Sequence, residues 1–135
     1  MIRRKVMPAA LAPRWEVFVT QADRVQAARR VLLSCLPVGR VAPAPVSVGL
    51  DVLHDELAAV RDELPAWRGD EVEHHWSACA AAVAEALEAI PVAKRVAETS
   101  TELEELLGAV SDVVGPLGDA FHAAERHWLS LRRRP

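Results

Sequence analysis

The chain contains no tyrosine, only two cysteines and six glycines, and aromatic residues make up 4% of it. Each shortage excludes something. Cys35 and Cys79 are 44 positions apart, without Cys-x-x-Cys or Cys/His spacing. Neither a disulfide scaffold nor a structural zinc site is therefore expected, and a reduced, cytoplasmic pair of thiols fits better. The scattered glycines form no phosphate-cradling loop. Ser34, Ser77, Ser111 and Ser130 lack the strand-turn-helix elbow that activates a nucleophile. No stretch approaches 18 uninterrupted apolar residues, so a membrane span is not expected.

What is present points to one globular domain. Of 135 residues, 51% are hydrophobic and 26% charged, which is too apolar for disorder and too short for two ordinary domains. Abundant Ala, Leu, Glu and Arg lose little rotamer freedom in a helix, so the expected fold class is all-α. Near the start, Arg3, Arg4 and Lys5 precede the apolar stretch from Val6 to Ala12, a loose imitation of a signal peptide. Pro8 and the minimal length of the run argue against one, leaving residues 1–12 as a frayed N-terminus.

Apolar periodicity predicts a four-helix bundle. Trp15, Phe18, Ala22, Val25, Leu32 and Leu36 step by three and four, broken at Arg29, and place helix one over 13–36, where Pro37 stops it. Residues 37–46 carry three prolines and a glycine and read as an extended linker. At about 3.1 Å per residue it could return the chain by about 30 Å and make helices one and two parallel. Leu50, Leu53, Leu57, Val60, Leu64 and Trp67 mark helix two over 47–67, with Ser47 as its cap. A tight reversal at Gly69 leads to helix three over 70–90, capped by Asp70 and interrupted by Pro91.

Thr99 and Glu102 suggest a capping box opening helix four over 100–132. Its stripe keeps phase from Leu103 through Gly115-Pro116 to Leu131, which favours one long, kinked helix over two. Such a helix would be about 48 Å long against about 30 Å for helix two, so an overhanging apolar end is expected. Leu103, Leu107, Val110, Val114, Phe121 and Trp128 form the stripe that such an end would offer to a partner.

The net charge of −3 hides an asymmetry. Residues 1–45 carry eight basic side chains against two acidic, residues 46–131 carry five against seventeen, and Arg132, Arg133 and Arg134 follow. A basic helix packed beside acidic ones explains this most simply. The arginines of helix one point in several directions and no recognition motif accompanies them, so a nucleic-acid partner is not expected.

Acidic-x-x-His occurs three times, at Asp51/His54, Glu71/His74 and Asp119/His122. In helix bundles this spacing builds metal sites when it projects inward. Here the helical phase turns these histidines away from the apolar stripes. His75 and His127 lie nearer helix boundaries. His54, His75 and His127 are therefore the candidate metal or ligand groups, although no metal or other cofactor is expected. Trp15, Trp67, Trp76 and Trp128 fall on apolar stripes, where either a core role or an aromatic pocket remains open.

Trp67-Arg68-Gly69, placed between two helices, resembles the Trp-X-Gly motif of the small helical-hairpin proteins exported by type VII secretion. The resemblance covers at most residues 47–132 and implies that Trp67 and Gly69 shape a hairpin turn in a protein that forms helical dimers and does not catalyse reactions. That family's Tyr-x-x-x-acidic export signal has no counterpart in a chain without tyrosine. The function expected is therefore a non-enzymatic interaction or assembly subunit, a cytoplasmic homodimer or a partner of another helical protein. The alternative is a small-ligand or metal-binding bundle, with or without catalysis.

Overall fold

The computed structural model describes residues 4–37 and 44–135. The described chain forms four α-helices: α1 over Ala12–Ser34, α2 over Val46–Glu63, α3 over Glu73–Thr99 and α4 over Leu103–Ser130. Two short 3-10 turns, Leu64–Trp67 and Asp70–Val72, connect α2 to α3. The result is an all-α four-helix bundle, as the periodicity implies.

Neighbouring helices run antiparallel. Gln21, early in α1, donates to the Glu63 carbonyl at the end of α2, whereas Leu32, late in α1, meets Gly49 at the start of α2. The parallel arrangement of the first two helices is therefore wrong. The connection has no bundle length to span, because α1 ends at the level where α2 begins. Residues 38–43, most of that linker, lie outside the described residues.

Asp51 of α2 accepts from Lys94 of α3, and Cys79 of α3 reaches the Ala120 carbonyl of α4, which sets the other two hairpins antiparallel as well. Leu106 of α4 lines a common hollow with Cys35, Val46 and Ala97, so all four helices end flush and no stripe overhangs. The overhang disappears because Pro91 does not stop α3. The ring is exposed on the outer face, where the lost backbone bond costs about 3 kcal/mol, and continuing the helix buries Ala93 and half-buries Val96 and Ala97. α4 likewise runs unbroken through Pro116, on its exposed side.

Several expected caps fall elsewhere. Pro45, not Ser47, precedes the first turn of α2. Asp70 opens a 3-10 turn, and α3 begins after Val72. Thr99 ends α3 with its hydroxyl donating to the Arg95 carbonyl, while Ser100 links Glu105 to the Glu102 N–H. Residues 4–11 are not frayed. Val6 and Arg133 exchange two backbone hydrogen bonds of 2.7 and 2.8 Å as an antiparallel bridge, which ties the N-terminal segment to the chain after α4.

By length and composition the helical run Asp70–Thr99 could cross a membrane, although polar residues interrupt it. A core helix meets the same criterion. Here Cys79, Val83, Ala86 and Ile90 pack into the bundle.

Candidate functional site

The two ends of the bundle differ in what they expose. At the turn end, where α2 reverses into α3, five of the six aromatic rings meet. Phe18 is the hub, with Trp67 edge-on at 4.9 Å, Trp15 at 5.9 Å, and Phe121 and Trp128 each at 6.2 Å. Trp67, Phe18 and Trp128 are fully buried. Gln21 is the one buried polar side chain among the described residues, and it joins the cluster to the backbone. Its amide donates to the Glu63 carbonyl at 2.8 Å and accepts from the Trp67 indole at 2.9 Å.

The expected stripe of α1 included Ala22 and passed over Gln21. Position 21 is three residues after Phe18 and four before Val25, so the spacing was visible and only the polar identity hid it. Trp76 lies beside this cluster, its indole donating to the Leu64 carbonyl and its face covered by Arg68 at 4.1 Å. Trp67, Phe18, Phe121 and Trp128 belong to the buried core, with Trp15 and Trp76 half-buried against it.

Cations close the outside of this end. Arg14 binds both Glu71 oxygens and the Arg68 carbonyl, and Arg68 grips Glu73. A hydrogen bond from its own backbone N–H, then that from Arg14, holds the Glu71 carboxyl below its usual range, and the Arg68 hydrogen bond does the same for Glu73. Gly69 takes an extended conformation, and a Cβ there would stand 1.7 Å from Arg14 Nη1. Its role is to let that guanidinium cross the turn. Trp67 ends the preceding 3-10 turn with its ring in the core.

His75 of α3 and His127 of α4 face each other with ring centroids 4.6 Å apart, and His74 lies edge-on to His75 at 5.3 Å. His127 Nε2 is 2.7 Å from the Glu71 carbonyl oxygen. Burial, then the nearby His127 and His74, push the His75 pKa down. His54 is not part of this group. It sits half-exposed on α2 beside Asp55, at 3.6 Å. Among the described residues no three or more His, Cys, Asp or Glu side chains converge in a way that could hold a metal. The carboxylates of two acidic-x-x-His pairs are engaged elsewhere, Asp51 by Lys94 and Glu71 by Arg14.

Between α1 and α4 runs a groove of about 520 Å³ with a mixed lining that includes Arg29, Arg30, Asp119, His122 and Glu125. Arg29, which breaks the apolar stripe of α1, lies over Gly118, where a Cβ would come within 2.6 Å of Nη2. Its Nη1 donates to Gln26.

The linker end is aliphatic and acidic. Gly49 brings α1 and α2 into close contact, since a Cβ there would be 2.9 Å from Leu32 Cα. Of the stripe expected to meet a partner, Val110, Val114, Phe121 and Trp128 are buried in the chain's own core, Leu107 is half-buried and Leu103 is 43% exposed. Among the described residues, seven large apolar side chains stand exposed: Val6, Val31, Leu33, Val48, Val52, Val92 and Leu103. Six of them belong to the linker end. Val31 and Leu33 lie in the last turn of α1, Val48 in the first turn of α2, and Leu103 opens α4. Val52 and Val92 stand just below them, next in sequence to Asp51 and two before Lys94, which pair across α2 and α3. The sequence carried a signal for this: Val48 and Val52, four apart, sit off the stripe of Leu50, Leu53 and Leu57.

Cys79 is buried in α3, and desolvation pushes its thiol pKa up to about 12, which makes it inert. Cys35 is also buried and free.

No protein-family model matches the chain, and no curated protein or solved structure matches it either.

Proposed function

We propose that this chain is a non-enzymatic helical assembly subunit that associates with copies of itself through the linker end of the bundle. One observation carries the reading: six of the seven exposed large apolar side chains among the described residues belong to that end, while the aromatic core at the other end lies under the Arg14–Glu71 and Arg68–Glu73 pairs. Exposed aliphatic side chains grouped on a surface gain free energy when a partner removes them from water, at about 25 cal/mol per Å². The candidate histidines form no convergent metal set among the described residues. Two buried, unpaired thiols suit a reducing compartment such as the cytoplasm.

Light scattering coupled to size exclusion tests the proposal. The wild type is expected to run as an oligomer at micromolar concentration. Val48→Asp with Leu103→Asp, both on exposed positions, is expected to run as a folded monomer. A wild type that stays monomeric throughout removes the reading.

A further inference from the structure

The self-association just proposed has a geometry written in the charges of the two ends, and the inference here rests on that reading. The Val6–Arg133 bridge sets Arg4 and Lys5 against Arg132, Arg133 and Arg134. None of these five cations forms an ion pair among the described residues. Arg132 and Arg133 donate instead to the Leu129 and Ser130 carbonyls. Val6, 49% exposed, stands among them.

At the opposite end, exposed Glu98, Glu102, Glu104 and Glu105 surround exposed Leu103. None of these carboxylates forms an ion pair among the described residues, and Glu105 accepts only from Ser100. Lys94 is engaged by Asp51, which leaves Arg95 as the other cation in the last two turns of α3.

Helix dipoles explain part of this pattern. Acids at the start of α4 and arginines after its end are each stabilised by the adjacent helix terminus. They do not explain Arg4 and Lys5, which precede every helix, and Glu98, in the last turn of α3, has only the Coulomb attraction of Lys94 to set against the dipole. Nor do the two sets neutralise each other within one molecule. The 28 residues of α4 separate them by about 42 Å, several times the screening length of about 8 Å at physiological salt.

We infer that the basic end of one copy docks on the acidic tip of the next, with Val6 and Leu103 at the centre of a charged rim. Like ends repel, so the contact is head to tail. It leaves one free end of each kind, and copies therefore add into open chains or close into rings.

Two triple variants test the inference. Arg4→Gln with Lys5→Gln and Arg134→Gln removes three of the five charges of the basic end. Glu98→Gln with Glu102→Gln and Glu104→Gln removes three of the four charges of the tip. All six positions are exposed, and circular dichroism confirms folding. Wild type is expected to associate about tenfold more weakly in about 1 M salt than in about 50 mM. Each variant alone is expected to be monomeric, and their equimolar mixture to form a one-to-one heterodimer, because each keeps one intact end.

Wild-type-like oligomers in either variant, or a mixture that does not pair, overturn the head-to-tail contact. If those variants associate while Leu103→Asp with Val48→Asp does not, association through the tip stands and the head-to-tail geometry falls. If wild type is monomeric at both salt concentrations, both proposals fall. Binding of a single-stranded oligonucleotide by a monomeric wild type, lost in the basic-end variant, assigns that end to nucleic acid and overturns the inference.

Discussion

The turn end and the linker end of this bundle are built from the same helices and solve different problems. At the turn end, five rings pack together, Gln21 accepts from the Trp67 indole, and arginine–glutamate pairs lie over them. At the linker end the contacts come from Leu, Val, Ala and a glycine, and valines and leucines are left facing water. Stability concentrated at one end leaves the other free to keep apolar surface that folding does not use.

That contrast has measurable consequences. Phe18 touches four other rings, so Phe18→Ala should cost about 3–5 kcal/mol in chemical denaturation. A loss below about 1 kcal/mol would show that the rings do not anchor the fold. Gln21→Leu keeps the volume but strands the Trp67 indole and the Glu63 carbonyl. A loss of about 2 kcal/mol is expected by the same measurement.

At the linker end, Gly49→Ala pushes a methyl against the Leu32 backbone, which cannot swing aside as a side-chain tip would. Overpacking of about 1–3 kcal/mol is offset in part by the better helix propensity of Ala, for a net loss of about 1 kcal/mol in thermal unfolding.

The histidine pair gives the turn end a pH dependence. His75, its pKa depressed in the fold, binds fewer protons folded than unfolded. Its effect is absent above about pH 6.5, and stability falls as pH drops below that value. Glu71 and Glu73 act in a lower window: their depressed pKa values stabilise above about pH 4.5, and that contribution is lost below it. Thermal midpoints measured across pH should therefore slope downward in two steps, and His75→Gln should flatten the upper one. The smallest effect on stability is expected from Val48→Asp and Leu103→Asp, within about 0.5 kcal/mol, since both side chains already face solvent.

Much of the bundle was legible because period-3.6 apolar stripes survive single exceptions. The four helices, the unbroken phase through Pro116 and the place of Trp67 and Trp128 on inward stripes follow from spacing, which left open whether the rings fill a core or line a pocket. Misplaced features arose where a local rule met a tertiary gain. Pro91 ends a helix only if nothing beyond it is worth burying, and Ala93 is. Extending α3 then removed the overhang that length arithmetic implied. The direction of α2 could not be read from a linker long enough for either choice. Gln21 was hidden by its polarity, and the Val6–Arg133 bridge by its two-residue size. In the candidate surface the stripe of α4 was legible as apolar, but whether a stripe faces its own core or a partner depends on how its neighbours end.

Hydrogen–deuterium exchange of the wild type at low and high protein concentration addresses the division between the ends most directly. If copies meet head to tail, amides over residues 46–52 and 92–107 gain protection as concentration rises, together with those around the Val6–Arg133 bridge, while residues 64–72 beneath the arginine–glutamate pairs keep constant rates. Protection that grows over 64–72 and leaves the linker end unchanged contradicts that division.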